Sequence, residues 1–123
     1  KSINLFKSLN TDFKDGYQTR DFIFVGDVIN IILFFKKNQF TGIYNVGTGD
    51  PQPFLILAET LFDSLNIPRK INYINMPETL IDIYQYYTAA NIKKLRSIGY
   101  NQQFTTLEDG VEICKDYFLS TIK

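Results

Sequence analysis

The stretch Arg20–Val28, RDFIFVGDV, organises the first half of the chain, and Tyr44–Gly49, YNVGTG, follows it. The four apolar residues Phe22–Val25 have the length and residue types of a short strand. A Gly-Asp pair comes next, and an aspartate just before a helix accepts hydrogen bonds from its first free N–H groups. We therefore predict a strand over Phe22–Val25, an N-cap at Asp27 and a helix over Val28–Lys37.

The predicted helix Val28–Lys37 is apolar on nearly all sides, which is typical of a helix that is covered from several directions. After it, Ile43–Val46 predicts a buried strand by its length and residue types. Leucines at i, i+4 and i+8 predict a helix over Phe54–Leu65. The other predicted elements are a helix end over Lys1–Leu9, a loop over Asn10–Thr19, a strand over Ile71–Ile74, a helix over Ile92–Ile98 capped by Asn91 and a last helix from Thr106 to Ser120 that buries Val111, Cys114 and Phe118.

These elements predict an α/β chain that is rich in helices and has few, short strands. Its 123 residues have the length of one domain. Two arrangements fit the pattern equally well: an independent two-layer α+β unit, and a cap that completes its core against a neighbouring domain. The chain begins at Lys1 and its only methionine is Met76, so we expect it to be a segment of a longer protein.

The composition narrows the classes of partner. Thirteen basic and thirteen acidic residues cancel, and no basic run stands out, so we expect neither nucleic acid nor a membrane surface as a partner. Histidine is absent, which removes the commonest metal ligand and general base, and the carboxylates show no metal-binding spacing. We predict no metal site. The single cysteine, Cys114, is expected to be a buried thiol, and one cysteine fits a cytoplasmic location.

Arg20 is the main candidate for binding a ligand. A guanidinium presents a rigid fork of donors that matches two phosphate oxygens. The alternatives are a surface arginine and an ion pair with Asp21 or Asp27. The motif YNVGTG is not a dinucleotide-binding fingerprint, because the third glycine is missing and two prolines, Pro51 and Pro53, interrupt the following helix start.

Five segments together resemble a known superfamily: Leu5–Ser8, Phe13–Val28, Thr41–Gly49, Tyr84–Tyr100 and Phe104–Val111. In this order and spacing they are similar to the C-terminal part of the extended short-chain dehydrogenases/reductases, the NAD(P)-dependent sugar-nucleotide epimerases and dehydratases. Within that superfamily they look like the ADP-L-glycero-D-manno-heptose 6-epimerase family. The resemblance implies a Rossmann-type protein in which residues 1–123 form a single substrate-binding C-terminal domain.

The resemblance also implies which parts of the enzyme are absent from this sequence. The glycine-rich turn and the Tyr-x-x-x-Lys pair of the superfamily do not occur in it. We therefore expect an NADP-binding N-terminal domain outside the chain, with no catalytic and no cofactor-binding residue inside it. Pro51 and Pro53 depart from the relatives, which usually carry a helix-capping serine at this turn.

The implied site residues lie in three places. An extended arm, made of Phe13, Lys14, Asp15 and Gly16, would run along the nucleotide. Arg20 would contact the substrate diphosphate, and Tyr84 would reach the sugar end.

The implied reaction interconverts ADP-D-glycero-D-manno-heptose and ADP-L-glycero-D-manno-heptose by NADP-dependent oxidation and reduction at C6'', in the synthesis of lipopolysaccharide core precursors. The resemblance implies an ADP-sugar as the ligand and a homo-oligomer when full length. The sequence leaves open whether the cofactor is NAD or NADP. Two alternative functions also stay open: another epimerase or dehydratase of the superfamily, and a superfamily member that acts only as a binding module.

Overall fold

The computed structural model describes residues 2–121, without the side chains of residues 118 and 121. The elements in chain order are β1 (Ile3–Phe6), β2 (Thr19–Arg20), α1 (Val25–Asn38), β3 (Gln52–Pro53), α2 (Phe54–Ser64), β4 (Ile71–Ile74), α3 (Glu78–Ile81), α4 (Lys93–Ser97) and α5 (Leu107–Thr121). Within the described residues, no helix has the length and apolar content needed to cross a bilayer. The chain is therefore a helix-rich α/β structure with short strands, as predicted.

The strands form two small ladders. Strand β1 pairs in parallel with β4, in the register Ile3↔Ile71 to Phe6↔Ile74. Parallel strands need a long crossover, and here the chain between them contains α1 and α2. Strand β2 pairs antiparallel with β3, which places Arg20 opposite Gln52. This second ladder is the scaffold of the candidate site described below.

The largest buried side chains gather between α1 and the segment around α4. Ile31, Leu95 and Tyr100 are each at most 2% exposed and form one cluster. Partly buried apolar side chains complete it: Ile23, Phe34, Phe35, Ile98 and Phe104. Helix α2 packs against β1 and α5 and buries Ala58 and Phe62. The leucines that predicted α2 are only half-buried, and the buried positions are the residues that follow Leu57 and Leu61.

The predicted helix end over Lys1–Leu9 is wrong, because Ile3–Phe6 forms strand β1. The apolar spacing at this end suits a helix, but pairing with the distant Ile71–Ile74 supplies the backbone hydrogen bonds of a strand. The prediction of β4 over Ile71–Ile74 is confirmed. In so short a segment, pairing with another strand determines whether the chain forms a strand or a helix.

The predicted strand over Phe22–Val25 and the N-cap at Asp27 are also wrong. Helix α1 begins at Val25, and Phe24 occupies the N-cap position without a side-chain cap. Asp27 lies in the first turn and is only 5% exposed. Its carboxylate accepts hydrogen bonds from Thr105 N (2.8 Å) and Thr105 Oγ1 (3.1 Å). Asp27 therefore bonds Thr105, 78 residues away, and does not cap the helix as the local sequence predicts.

The predicted buried strand over Ile43–Val46 is wrong as well, since this segment pairs with no strand among the described residues and Ile43 is 88% exposed. Lys94 Nζ instead donates to the carbonyl of Ile43 at 2.9 Å. The C-terminal helix is confirmed, and Thr106 Oγ1 accepts from Asp109 N at 3.1 Å as a cap. Cys114, predicted to be buried, is partly exposed. The predicted burial of Phe118 lies outside the described side chains.

Candidate nucleotide-sugar site

Arg20 projects from β2 onto two aromatic rings. Its guanidinium carbon lies 5.6 Å from the ring centre of Phe54 and 5.3 Å from that of Tyr84. One guanidinium nitrogen, Nη1, donates to the carbonyl of Thr19 at 2.7 Å. In the part of the chain that the structure describes, no ion pair involves Arg20, so the pairing with Asp21 or Asp27 is not formed. The other guanidinium donors stay available to a ligand.

Asp21 points away from Arg20 and ties two distant loops to the end of β2. Its Oδ1 accepts from Thr48 N (2.7 Å) and Thr48 Oγ1 (2.5 Å). Its Oδ2 accepts from Gly49 N (2.9 Å) and Ala90 N (2.8 Å). Burial raises the pKa of this carboxyl, but the hydrogen bonds from Thr48, Ala90 and Gly49 outweigh burial, so the pKa lies below its ordinary value. The aspartate of the RDF motif is therefore a structural anchor.

The loop that Asp21 holds is the YNVGTG motif, and it is too closely packed to bind a dinucleotide. A Cβ on Gly47 would lie 2.5 Å from Ala90 Cβ and 2.6 Å from Asp21 Oδ2. The loop leads into the two-residue strand β3 and then a helix that begins after Pro53. A dinucleotide site needs free backbone amides at a helix start. The residues of this loop do not fit such a cofactor.

A small cavity of about 190 Å³ lies beside Arg20. It is lined by six residues: Asn4, Leu5, Phe6, Gln18, Phe54 and Tyr84. Two of these, Phe54 and Tyr84, are the rings on which the guanidinium stacks. The structure thus brings a cation and an aromatic pocket together, a combination that suits a flat ring attached to an anionic group.

Tyr84 joins the cavity to a larger aromatic group. Its ring packs edge-on against Phe6 at 6.1 Å and against Tyr86 at 5.1 Å, measured between ring centres. Burial raises the pKa of Tyr84, while the charge of Arg20 acts in the opposite direction. The phenol is therefore neutral at physiological pH and can donate a hydrogen bond.

The four arm residues Phe13, Lys14, Asp15 and Gly16 form a turn before β2, not an extended strand. The Phe13 ring lies 5.6 Å from that of Tyr86, which adjoins Tyr84. Asp15 Oδ1 accepts from Ser8 N at 2.7 Å, so its carboxylate is used within the fold. Lys14 is exposed, and its carbonyl accepts from Tyr17 N at 3.0 Å.

Gly16 is buried and has φ +78°, and its carbonyl oxygen accepts a hydrogen bond from Leu55 N at 2.8 Å. A positive φ favours glycine, because a Cβ is strained in this region. The structure thus brings Phe13 to the aromatic group and uses the Asp15 carboxylate in a hydrogen bond within the fold.

Of the six residues that line the cavity, the sequence predicted only Tyr84 as a site residue, and the other five are Asn4, Leu5, Phe6, Gln18 and Phe54. A signal existed for Gln18, because residues two apart on a strand share a face and Gln18 precedes Arg20 by two. Phe6 and Phe54 carried no such signal, since β1 and α2 reach the site only through tertiary pairing.

Comparisons with known proteins agree with this architecture. No protein-family model matches the chain. An ADP-L-glycero-D-manno-heptose-6-epimerase from Fusobacterium nucleatum subsp. nucleatum is 43% identical over 94% of this chain, which spans 36% of that relative. The chain therefore spans about a third of the length of the curated relatives that it matches.

Solved structures show the same similarity. The Helicobacter pylori ADP-L-glycero-D-manno-heptose-6-epimerase superposes with a TM-score of 0.71 at 26% identity, covering 97% of this chain and 32% of that one. A UDP-N-acetylglucosamine 4-epimerase from Methanobrevibacter ruminantium M1, in complex with UDP-N-acetylmuramic acid, gives a TM-score of 0.80 at 20% identity over 98% of this chain and 36% of that one. Two other neighbours were determined with NADPH and with NAD⁺.

These matches confirm the fold class and the resemblance read from the motifs. The fold is that of a portion of a Rossmann-type, extended short-chain dehydrogenase/reductase. In sequence, the homologues that cover this portion are ADP-L-glycero-D-manno-heptose-6-epimerases.

Proposed function

We propose that this chain is the substrate-binding part of an epimerase that interconverts ADP-D-glycero-D-manno-heptose and ADP-L-glycero-D-manno-heptose. The observation that carries the proposal is the Arg20 guanidinium, which lies beside an aromatic cavity without a carboxylate partner in the described residues. A diphosphate oxygen pair would complete its hydrogen bonding. The 43% identity to an ADP-heptose epimerase supports the choice of ligand.

Each predicted site residue has a role in this proposal. Arg20 binds the diphosphate of the ADP-sugar, and the neutral Tyr84 phenol donates a hydrogen bond towards the sugar end. The arm Phe13–Gly16 borders the nucleotide, with Phe13 packing, Lys14 near the phosphates, and Asp15 and Gly16 fixing the turn. Holding a substrate in one orientation can supply ~7–11 kcal/mol of the barrier reduction in well-oriented reactions.

The reaction proposed for the full-length protein is NADP-dependent oxidation and reduction at C6''. The loop Tyr44–Gly49 does not fit the cofactor, so we assign NADP and the catalytic residues to a domain outside residues 1–123. The full-length protein would act as a cytoplasmic homo-oligomer and supply a heptose precursor of the lipopolysaccharide core.

A second candidate is an epimerase of the same superfamily that acts on a UDP-sugar. The observation in its favour is the TM-score of 0.80 to a UDP-N-acetylglucosamine 4-epimerase, higher than that to the heptose epimerase structure. Titration of the full-length protein with ADP-heptose and with UDP-N-acetylglucosamine separates the two. Preference for the UDP-sugar would replace the first proposal.

The direct test is Arg20→Ala in the full-length protein, followed by titration calorimetry. We expect the affinity for an ADP-sugar to fall by about 30-fold or more, because a charge-assisted phosphate contact is lost. NADP affinity should stay unchanged. Arg20→Lys should recover part of the loss, since an ammonium keeps the charge but not the fork.

Arg69→Ala is the matched control. Arg69 is an exposed arginine of the same chain, and it pairs with Glu59 (3.1 Å) and Asp63 (2.6 Å) rather than with a ligand. Its removal should leave ADP-sugar binding unchanged. An Arg20→Ala protein that melts early but binds the ADP-sugar normally would show that Arg20 serves the fold alone.

A further inference from the structure

Among the residues that line the cavity beside Arg20, Gln18 is the buried polar side chain. Gln18 is 1% exposed, and its Nε2 donates to the carbonyl of Phe6 at 3.2 Å. That bond identifies the other end of the amide as the oxygen. Within residues 2–121, Gln18 Oε1 has no hydrogen-bond donor. Because Gln18 lines the cavity, a ligand that fills the cavity would lie against this side chain.

The walls of the cavity suit a flat aromatic ring. Phe6, Phe54 and Tyr84 line it, and the rings of Phe6 and Tyr84 stand at 80° to each other. Stacking on aromatic side chains is a general way of holding a nucleobase. The volume of about 190 Å³ is smaller than the ~300–1,000 Å³ of a whole small-molecule site. The cavity therefore accommodates one ring system, with the rest of the ligand outside.

The position of Arg20 shows where the rest of such a ligand would lie. Gln18 immediately precedes β2 and lies two residues before Arg20, and side chains two apart along an extended backbone leave it on the same side. Arg20 stacks on Phe54 and Tyr84, which are also cavity walls. A base in the cavity and a diphosphate at the guanidinium thus match the two ends of a nucleoside diphosphate.

We propose that Gln18 is a specificity-determining residue that accepts a hydrogen bond from the exocyclic amino group of adenine. This inference rests on the proposed function, in which Arg20 binds the diphosphate. Gln18 Oε1 can only accept, and adenine presents an N–H₂ donor where guanine presents a carbonyl oxygen. Two facing carbonyl oxygens would leave both without a donor, so the site discriminates by the donor that the base carries.

The test compares ADP with its 6-deamino analogue, purine riboside 5'-diphosphate, by titration calorimetry of the full-length protein. We expect the natural protein to bind ADP about ten-fold more tightly than the analogue, the effect of one buried hydrogen bond. In Gln18→Met, which keeps a similar shape without the amide, ADP should bind no better than the analogue. The analogue should bind equally to both proteins, because it lacks the amino group that Gln18 would recognise, and the four affinities together form a double-mutant cycle.

The comparison on the natural protein needs no variant, so misfolding of Gln18→Met would not obscure it. Equal binding of ADP and the analogue by the natural protein overturns the role of Gln18 and leaves the proposed function standing. Binding of neither nucleotide overturns the proposed function and this inference with it. A Gln18→Met protein that still prefers ADP over the analogue places the discriminating contact elsewhere.

Discussion

At the scale of single residues, the neighbours Arg20 and Asp21 divide two tasks. Arg20 presents its guanidinium to an aromatic cavity, while Asp21 turns back and accepts four hydrogen bonds from Thr48, Gly49 and Ala90. Adjacent residues of an extended backbone point to opposite sides, which is why they do not pair. The orientation of Arg20 therefore depends on the anchor that follows it.

Asp21→Asn should lower the free energy of unfolding at pH 7 by ~1–3 kcal/mol, because an amide NH₂ would face backbone N–H donors. The pKa of Asp21 is lowered in the folded state. The ionised carboxylate therefore contributes its full stabilisation above about pH 3.9, the ordinary pKa of an aspartate. This stabilisation is lost as the pH falls through the lowered pKa of the folded state. Urea unfolding between pH 7 and pH 3 should show that the free energy of unfolding falls less in Asp21→Asn than in the natural chain.

Asp12→Asn is the control for this experiment, because Asp12 is exposed in the turn before β2. It should leave the stability at pH 7 within about 0.5 kcal/mol of the natural chain. An Asp21→Asn protein as stable as this control would show that the four hydrogen bonds do not anchor the loop.

At the scale of the elements, α1 has two very different apolar faces. Ile31 is 2% exposed and belongs to the cluster with Leu95 and Tyr100. On other sides of the same helix, four large apolar residues are at least half exposed: Val25 (62%), Ile29 (51%), Ile32 (60%) and Leu33 (54%). A helix that is apolar all round is normally buried. The proposal of a further domain in the full-length protein would give the exposed face its cover.

Ile31→Ala should cost ~2–5 kcal/mol, the usual range for removing a fully buried isoleucine side chain. Ile32→Ala, the adjacent position with the same side chain, should cost at most about 0.5 kcal/mol in the 123-residue chain, because it is already exposed. Urea unfolding of the two variants measures both values. In the full-length protein, Ile32→Ala should lower the free energy of unfolding by more than it does in the 123-residue chain. The same small loss in both proteins would show that no other domain covers this face.

At the scale of the whole molecule, the proposal assigns the binding of the nucleotide-sugar to this chain and its oxidation to another part of the full-length protein. The sequence of this chain lacks a Tyr-x-x-x-Lys pair and a glycine-rich dinucleotide turn. In the loop Tyr44–Gly49, the amides of Thr48 and Gly49 donate to Asp21, and Gly47 packs against Ala90. Binding and chemistry would then reside in different parts of the full-length protein.

We therefore expect the isolated 123-residue chain to show no epimerase activity and no NADP binding above background. The measurements are turnover of an ADP-heptose, followed by separation of the two epimers, and fluorescence titration with NADPH. The full-length protein is the positive control. Turnover by the purified chain, free of full-length enzyme, would contradict the assignment of catalysis to another domain.

The sequence alone determined the features that depend on near neighbours. The leucine period of α2, the Thr106 cap of α5 and the glycine at the end of α4 all act within a few residues, so local rules recover them. The chemistry of Arg20 was equally local, because a guanidinium matches a phosphate in any fold.

Tertiary structure decided the features whose partners lie far away in the chain. Strand β1 forms because Ile3–Phe6 pairs with Ile71–Ile74. Asp27 does not cap the helix, because Thr105, 78 residues away, donates two hydrogen bonds to its carboxylate. The cavity of Phe6, Gln18, Phe54 and Tyr84 draws its walls from four separate segments. Local propensity cannot specify such contacts, because their free energy appears only when the chain has brought both partners together.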